Sequence, residues 1–169
     1  MNKVCIELTD GRKINLELME QYAPLAVENF LSLVKDGFYD GLCFHRVIEN
    51  FMIQGGGFTQ GKSALMPKAA PRTIKGEFKA NGVENALKHT PGVISMARTA
   101  FPDSASSQFF ICVEELPYLD GQYAAFGKTC DEQSLAVAVD ISKTATGFLG
   151  GFSDVPVTPV VIKSIKTAE

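Results

Sequence analysis

The sequence predicts a single mainly β domain over residues 1–169, in which an antiparallel sheet closes into a barrel and two helices cover its openings. Three observations support this fold class. About eight short apolar segments, most of them alternating, are separated by turn-forming residues. Two longer stretches have helical spacing, and they do not alternate regularly with the strands as a doubly wound parallel sheet requires. Closure of the sheet would remove the exposed edges that so many short strands otherwise present.

The strand predictions depend on alternation and on the residues that bound each segment. The first two strands flank Asp10-Gly11, a dipeptide typical of a β-hairpin turn. Pro159 lies inside the last strand, a position that suits the edge of a sheet because proline cannot donate a backbone hydrogen bond. In chain order the predicted strands are 4–8, 14–18, 43–48, 51–54, 93–97, 109–113, 124–126 and 157–165.

Two segments have the spacing and the boundary residues of helices. The first covers 24–35, because Pro24 suits the first helical position and Asp36-Gly37 follows the last apolar residue. The second covers 131–142 and begins with the acidic Asp131, which interacts favourably with the positive end of the helix dipole.

A long segment, 55–89, has little periodicity and is rich in glycine, proline and lysine, which is typical of a functional loop. Residues 56–63 match the phosphate-loop pattern GxxxxGK followed by serine or threonine. That loop needs a helix beginning at Lys62-Ser63, so that backbone amides face the phosphate. Pro67 and Pro71 would break such a helix. We therefore interpret the match as chance and do not predict nucleotide binding.

Composition and charge exclude several classes of protein. The 16 basic and 19 acidic residues leave a formal net charge of −3 with no basic block, so nucleic acid is not an expected partner. No apolar run approaches the roughly 18 residues needed to cross a bilayer, and the N-terminus shows no secretory signal. We expect a cytoplasmic protein without a membrane partner.

The four cysteines, at positions 5, 43, 112 and 130, are far apart and fit no zinc or disulfide pattern. Each has apolar or strand-like neighbours, which predicts buried free thiols. His89 is interpreted as support for a turn. A thiol nucleophile formed by Cys43 and His45 is the weaker alternative, because no third orienting group is identifiable.

The segment around Arg46 contains side chains that could form a site. On a strand, Phe44, Arg46 and Ile48 would share one face, and His45 would lie on the other face as a satisfied structural histidine. By these residues alone, Arg46 is better explained as a solvated strand arginine than as a catalytic group.

The next strand brings further polar and apolar residues to the same region. Met52 and Gln54 share a strand face, with Phe51 beside them at the corner. Pairing of the two strands could therefore place Arg46, Met52 and Gln54 on one surface.

Three blocks of the sequence resemble the motifs of cyclophilin-type peptidyl-prolyl cis–trans isomerases. They are FHRVIENFMIQGG at 44–56, GVISMART at 92–99 followed by SSQFFI at 106–111, and YLDGQYAAFG at 118–127. Their order and spacing are those of the family, and the resemblance covers nearly the whole chain. It implies a closed eight-stranded antiparallel barrel with two helices, a site on its outer face, and isomerase activity without a cofactor or metal.

The resemblance also implies roles for particular residues. Arg46 matches the family's catalytic arginine, and Gln54 matches the residue that bonds the substrate backbone and orients that arginine. In the family, the other matching positions form the pocket for the substrate proline, the rim of that pocket and the stretch along which the substrate residue before the proline lies. They are Phe51, Met52, Ala97, Arg98, Thr99, Gln108, Phe110, Tyr118, Leu119 and Tyr123.

The chain departs from the pattern of many eukaryotic members at several of these positions. Tyr118 replaces a tryptophan that contacts cyclosporin in the family, which predicts weak binding of that drug. Tyr123 replaces a histidine, Arg98-Thr99 replace Asn-Ala, and Gly57 replaces an aspartate. These features resemble the bacterial cytoplasmic branch.

The expected partners are proline-containing peptides and unfolded or folded client proteins, and the expected state is a monomer. The alternative to an isomerase is a non-catalytic module that binds proline-containing peptides.

Overall fold

The computed structural model describes residues 2–168, and its main feature is an antiparallel sheet of eight strands with two α-helices. The helices are α1 (Pro24–Lys35) and α2 (Glu132–Ser142), and 3₁₀ turns cover Lys79–Asn81 and Pro117–Leu119. The strands are β1 (Asn2–Leu8), β2 (Lys13–Leu18), β3 (Arg46–Ile48), β4 (Met52–Gly55), β5 (Phe58–Gln60), β6 (Leu65–Pro67), β7 (Val93–Met96), β8 (Phe109–Cys112), β9 (Ala125–Thr129), β10 (Thr146–Leu149), β11 (Phe152–Pro156) and β12 (Ile162–Ala168).

The main sheet has the order β12-β1-β2-β9-β7-β8-β4-β3, so β12 and β3 are its two ends. The residues just before β3 meet the start of β12 through an isolated antiparallel bridge between Cys43 and Val161. On either side of it, Phe44 N donates to Val160 O at 2.9 Å and Ile162 N donates to Leu42 O at 2.8 Å. The predicted helix-capped β-barrel is confirmed, although this short bridge, rather than a full strand ladder, joins its ends.

One face of the sheet forms the main core with α1. Phe30 of α1 is fully buried, and its ring lies 5.6 Å from that of Phe109 and 5.4 Å from that of Phe126, centroid to centroid. Phe44 is also buried here, its ring edge-on to that of Phe109. Phe44, Phe109 and Phe126 are therefore core residues.

Alternation around Arg46 begins later than the sequence suggests. The strand starts at Arg46, and Phe44 packs in the same core as Val47 instead of sharing a face with Arg46. Residues 41–44 pair with the start of β12, so their backbone follows a different path from β3. The prediction of one continuous strand over 43–48 is wrong for this reason.

The two predicted helices are confirmed, and Asp131 caps α2 by accepting a hydrogen bond from Ser134 N at 2.7 Å. Two hairpins, β5–β6 and β10–β11, were not predicted, since strands of three to five residues give little periodicity. The last strand begins only at Ile162, after Pro159. Lys62 and Ser63 lie between β5 and β6, so the phosphate-loop match has no helix behind it.

The cysteines differ in exposure. Cys43 and Cys112 are buried, and burial raises their thiol pKa values to about 11 and about 12. Cys5 is half-buried and Cys130 is exposed, so the prediction of four buried thiols is wrong at these two positions. Cys5 lies in the middle of β1 between the buried Val4 and Ile6, and Cys130 follows the end of β9, so apolar or strand-like neighbours do not by themselves place a side chain in the core. All four thiols are unpaired.

Residues 2–168 contain neither a membrane-spanning helix nor a cluster of metal-ligating side chains. No helix there is long and apolar enough to span a membrane. The same residues contain no group of three or more histidine, cysteine, aspartate or glutamate side chains placed to hold a metal ion.

The N-terminus of α1 is capped by a residue from the long segment 55–89. Ala23 at the N-cap position offers no side-chain acceptor, and the buried carboxylate of Glu77 takes over this function. Leu25 N donates to Glu77 Oε2 at 3.1 Å, and Ala26 N donates to Glu77 Oε1 at 2.8 Å. The segment is thus fixed to the helix that fills the core.

Glu77→Gln should lower the free energy of unfolding by about 1–2 kcal/mol, because the amide offers one acceptor oxygen where the carboxylate offers two. Urea unfolding followed by circular dichroism measures the change. Glu84→Gln is the matched control at an exposed position of the same segment. Equal stability of both variants and the parent would contradict the capping role.

Candidate active site

A cavity of about 390 Å³ opens on the outer face of the sheet, away from the main core. It lies over β3, β4 and β8 and is bordered by the 3₁₀ turn Pro117–Leu119 and by the segment after β7. Its lining consists of His45, Arg46, Phe51, Met52, Gln54, Phe58, Ala97, Arg98, Gln108, Phe110, Leu119, Tyr123, Phe152 and Ser153. The lining includes every residue that the sequence assigns to the site except Thr99 and Tyr118.

The strand register places the main side chains in one row across the sheet. Arg46 of β3 is paired with Gln54 of β4, Gln54 with Phe110 of β8, and Phe110 with Ser95 of β7. Paired residues of adjacent antiparallel strands project to the same face. The neighbouring row, which includes Val47 and its partners, projects into the barrel core.

A chain of three polar side chains crosses the cavity floor. Arg46 Nη1 donates to Gln54 Oε1 at 3.3 Å, and Gln54 Nε2 donates to Gln108 Oε1 at 3.0 Å. The guanidinium carbon of Arg46 lies 5.9 Å from the ring centroid of Phe51. The arginine is half-buried, so its permanent charge faces the cavity from a partly fixed position.

The apolar side of the cavity belongs to a second cluster of packed side chains, separate from the main core. Met52 and Phe110 are 2% and 5% exposed, while Phe51 and Leu119 are partly exposed against them. Tyr123 meets Phe110 edge to face, with ring centroids 5.6 Å apart. This arrangement leaves a bowl of aromatic and thioether atoms open to solvent.

The segment after β7 forms one side of the cavity. Ala97 and Arg98 line it, and Thr99 lines an adjoining pocket of about 180 Å³ that Gln108 shares. Ala97 N donates to Gln108 O at 3.0 Å, which ties this segment to the start of β8.

Arg98 makes internal contacts through all three of its guanidinium nitrogens. Nε and Nη2 donate to Gln122 O at 3.1 and 2.6 Å, and Nη1 donates to Thr99 O. Its guanidinium carbon lies 4.7 Å from the ring centroids of both Phe78 and Tyr123. The side chain therefore braces the wall that carries Tyr123.

Tyr118 lies at the rim of the site. It is 65% exposed, and its ring centroid lies 6.4 Å from that of Phe51. A ligand that fills the cavity and extends over its edge would reach this ring.

His89, interpreted from the sequence as support for a turn, holds the 3₁₀ turn to the sheet. Its backbone N donates to Asp120 Oδ1 at 2.7 Å, and its ring nitrogens lie 2.9 Å from Asp120 Oδ1 and from Ser95 Oγ. The ring stacks on Phe110 at 6.0 Å between centroids, and burial lowers its pKa. The position of Leu119 depends on this contact.

Gly57 leaves room for Gln108. A Cβ atom at position 57 would collide with the Gln108 side chain, so an aspartate here would displace the last member of the polar chain.

Sequence reasoning missed four lining residues, which are His45, Phe58, Phe152 and Ser153. The interpretation of His45 as a satisfied histidine on the opposite face is wrong. The regular strand β3 begins only at Arg46, so the alternation of side chains along that strand does not determine where His45 points. It lines the cavity 4% exposed, and among residues 2–168 its Nδ1 has no hydrogen-bond partner. Burial and the charge of Arg46 lower its pKa to about 4. The two phenylalanines belong to the two unpredicted hairpins.

An open apolar bowl, a half-buried guanidinium and a flanking segment lie together on the outside of the β-barrel and form the candidate active site. Known proteins share this architecture and sequence. Residues 3–167 match the family described as cyclophilin type peptidyl-prolyl cis-trans isomerase. A relative from Dickeya dadantii, peptidyl-prolyl cis-trans isomerase A, is 44% identical over 94% of this chain and 80% of its own length.

Two further proteins extend the comparison. An isomerase from Streptomyces antibioticus is 43% identical over 94% of both chains. The crystal structure of a Cryptosporidium parvum cyclophilin superimposes with a TM-score of 0.78 at 30% identity, covering 99% of this chain and 98% of that one. The same cyclophilin has been solved in the presence of the dipeptide Ala-Pro. The chain belongs to the cyclophilin-type peptidyl-prolyl cis–trans isomerase family, and its activity is that of a peptidyl-prolyl cis–trans isomerase.

Lowering the pH should destabilise the fold partly through His45. Its pKa is about 4 in the folded chain against an ordinary value of 6.5, so the unfolded chain takes up the proton first as the pH falls. The stability that neutral His45 contributes is complete above pH 6.5 and is lost as the pH falls towards 4. Urea unfolding at pH 7 and pH 4.5 should show a loss of roughly 2 kcal/mol from this residue.

The matched variant for this measurement is His45→Phe, which keeps an aromatic ring and removes the titration. Between pH 7 and pH 4.5, this variant should lose less stability than the parent, by about 2 kcal/mol. An identical pH dependence would contradict the assignment.

Proposed function

We propose that Arg46 and Gln54 accelerate rotation about Xaa-Pro bonds while the apolar bowl holds the proline ring. The observation that carries this proposal is the chain from Arg46 through Gln54 to Gln108, which runs beside the bowl formed by Phe51, Phe110 and their neighbours. A charged donor and a ring-sized pocket thus lie at adjacent points of one surface.

The reaction needs no nucleophile, because no covalent bond is made or broken. Rotation about a peptide bond costs ~18–20 kcal/mol because it destroys amide resonance, and the Xaa-Pro case takes tens to hundreds of seconds without a catalyst. The catalyst must bind the twisted amide more strongly than either planar form.

Arg46 supplies that difference. As the amide twists, its nitrogen becomes pyramidal and gains a localised lone pair, which a fixed guanidinium can meet with an N–H donor. The hydrogen bond from Arg46 Nη1 to Gln54 Oε1 limits the freedom of the arginine before substrate arrives. A donor already in position adds little reorganisation cost at the moment of rotation.

The bowl anchors one side of the rotating bond. Burial of a proline ring against Phe51, Met52, Phe110 and Leu119 supplies a few kcal/mol at ~25 cal/mol per Å². The ring then stays fixed while the carbonyl of the preceding residue turns.

The preceding residue lies along the segment 97–99. Its backbone can pair with this extended stretch, while its side chain is only weakly specified. Gln108 and Tyr123 form the rim between this segment and the bowl.

The biological substrates are proline-containing segments of unfolded or folded client proteins, on which the protein acts as a folding helper. The cavity would hold the proline ring through apolar contacts and the preceding residue through its backbone. Because neither contact depends on the other side chains of the client, this supports a broad range of clients. The four unpaired cysteines fit a reducing cytoplasm, and we propose that the protein works there as a monomer.

Arg46→Ala should reduce cis–trans exchange of an Ala-Pro peptide by on the order of 100-fold or more, with a much smaller change in peptide affinity, because the lost donor acts on the twisted state. Exchange NMR measures the rate and chemical-shift titration measures the affinity. Arg72→Ala, at an exposed arginine outside the cavity, should keep the parental rate. Parental exchange by Arg46→Ala would refute the arginine mechanism, and a parent that binds but does not exchange the peptide would favour a binding module.

Cyclosporin should bind weakly, and Tyr118→Trp should increase its affinity about tenfold by enlarging the aromatic surface at the rim. Isothermal titration calorimetry measures both affinities. Phe148→Trp, at another highly exposed aromatic residue that does not line the cavity, is the control and should leave the affinity unchanged. No gain for Tyr118→Trp would show that the rim position does not limit drug binding.

A further inference from the structure

The cavity continues past Arg46 onto a second aromatic surface, formed by His45, Phe58 and Phe152. We call these three rings the aromatic shelf. The His45 and Phe58 ring centroids lie 4.6 Å apart, and those of Phe58 and Phe152 lie 5.5 Å apart at an interplanar angle of 63°. All three residues line the same cavity as Arg46 and Gln54, so the shelf is continuous with the proline site.

Two of the three shelf residues come from elements that the proline site does not use, whereas His45 directly precedes β3. Phe58 is the first residue of β5 and Phe152 is the first residue of β11, and β11 packs alongside β3. Phe152 is 41% exposed and Phe58 is partly exposed, so their contact leaves ring surface open to the cavity. An exposed aromatic surface at the end of a binding groove is suited to contact with a ligand.

The shelf is aromatic and carries no charge at pH 7. His45 is buried and stays neutral at pH 7, since both burial and the neighbouring guanidinium oppose its protonation. Within residues 2–168 no carboxylate lines the cavity, and the charged lining residues there are two arginines, of which Arg98 is engaged with backbone carbonyl groups. An aromatic or large apolar side chain fits this surface better than a charged one.

We propose that the aromatic shelf is a subsite for an aromatic or large apolar side chain at one of the two positions that follow the proline. This inference rests on the proposed function. If the preceding residue lies along 97–99 and the proline ring fills the bowl, the chain after the proline leaves on the opposite side of Arg46. That path crosses the shelf.

Phe152 is the specificity-determining residue in this proposal. It is the most exposed ring of the shelf. A substrate phenylalanine that contacts the rings of Phe152 and Phe58 should raise kcat/KM about fivefold to tenfold over a substrate with alanine at the same position.

The test is exchange NMR with four peptides on the parent, Phe152→Ala and Phe148→Ala. The reference peptide has alanine on both sides of a single proline, and the others carry phenylalanine one position before, one position after or two positions after it. The parent should exchange one of the two peptides with phenylalanine after proline about fivefold to tenfold faster than the reference. Phe152→Ala should lose this preference, so that it exchanges the peptides with phenylalanine after proline at about the rate at which it exchanges the reference peptide.

Phe148→Ala is the matched control, because Phe148 is an exposed phenylalanine of the adjacent strand β10 that does not line the cavity. It should keep both the preference and the reference rate. Intermolecular NOEs between the peptide ring and the Phe152 ring in the parent give a second readout that requires no variant.

The other outcomes overturn the proposal. Two of them concern the parent, which would exchange all four peptides at the same rate or would show a Phe152-dependent preference only for phenylalanine before proline. The other two concern Phe152→Ala, which would retain the preference or would exchange every peptide more slowly by the same factor. Exchange of the reference peptide by the parent separates these results from failure of the proposed function, in which no peptide is exchanged.

Discussion

The antiparallel register across β3, β4 and β8 is the constraint on which the active site depends. It aligns Arg46, Gln54 and Phe110 in one row on the outer face, while the adjacent row of Val47, Ile53 and Ile111 fills the barrel core. A slip of one residue would exchange the two faces, burying the guanidinium and exposing the core. The hydrophobic effect that stabilises the barrel therefore also fixes the position of the side chains to which we assign catalysis.

The remainder of the site is held by contacts from segments without regular structure. His89 fixes the 3₁₀ turn through Asp120 and stacks behind Phe110. Arg98 braces the wall that carries Tyr123. Catalysis of a rotation requires that the pocket hold one end of the bond still, and these contacts hold Phe110 and Tyr123, which line the cavity, in place. The neutral state of His45 completes an apolar surface on the other side.

Much of the fold could be predicted from the sequence, because α1 and the first hairpin have strong periodicity and clear boundary residues. The hairpins β5–β6 and β10–β11 could not, since their strands are too short to show a period and their stability comes from tertiary contacts. The missed residues Phe58 and Phe152 come from these hairpins. Placement of Arg46 beside Gln54 was predictable from alternation, but the catalytic interpretation required the family motifs. His45 was misplaced because the backbone before β3 bridges to β12.

In the proposed mechanism, Gln54 acts on rotation largely by positioning Arg46. This role can be measured by a double-mutant cycle with Arg46→Lys and Gln54→Ala, in which kcat/KM is determined by exchange NMR on one Ala-Pro peptide. We expect the two substitutions to be coupled, so that the summed single losses exceed the double loss by about 1 kcal/mol or more. Additive losses would show that the two side chains act independently and that Gln54 does not position Arg46.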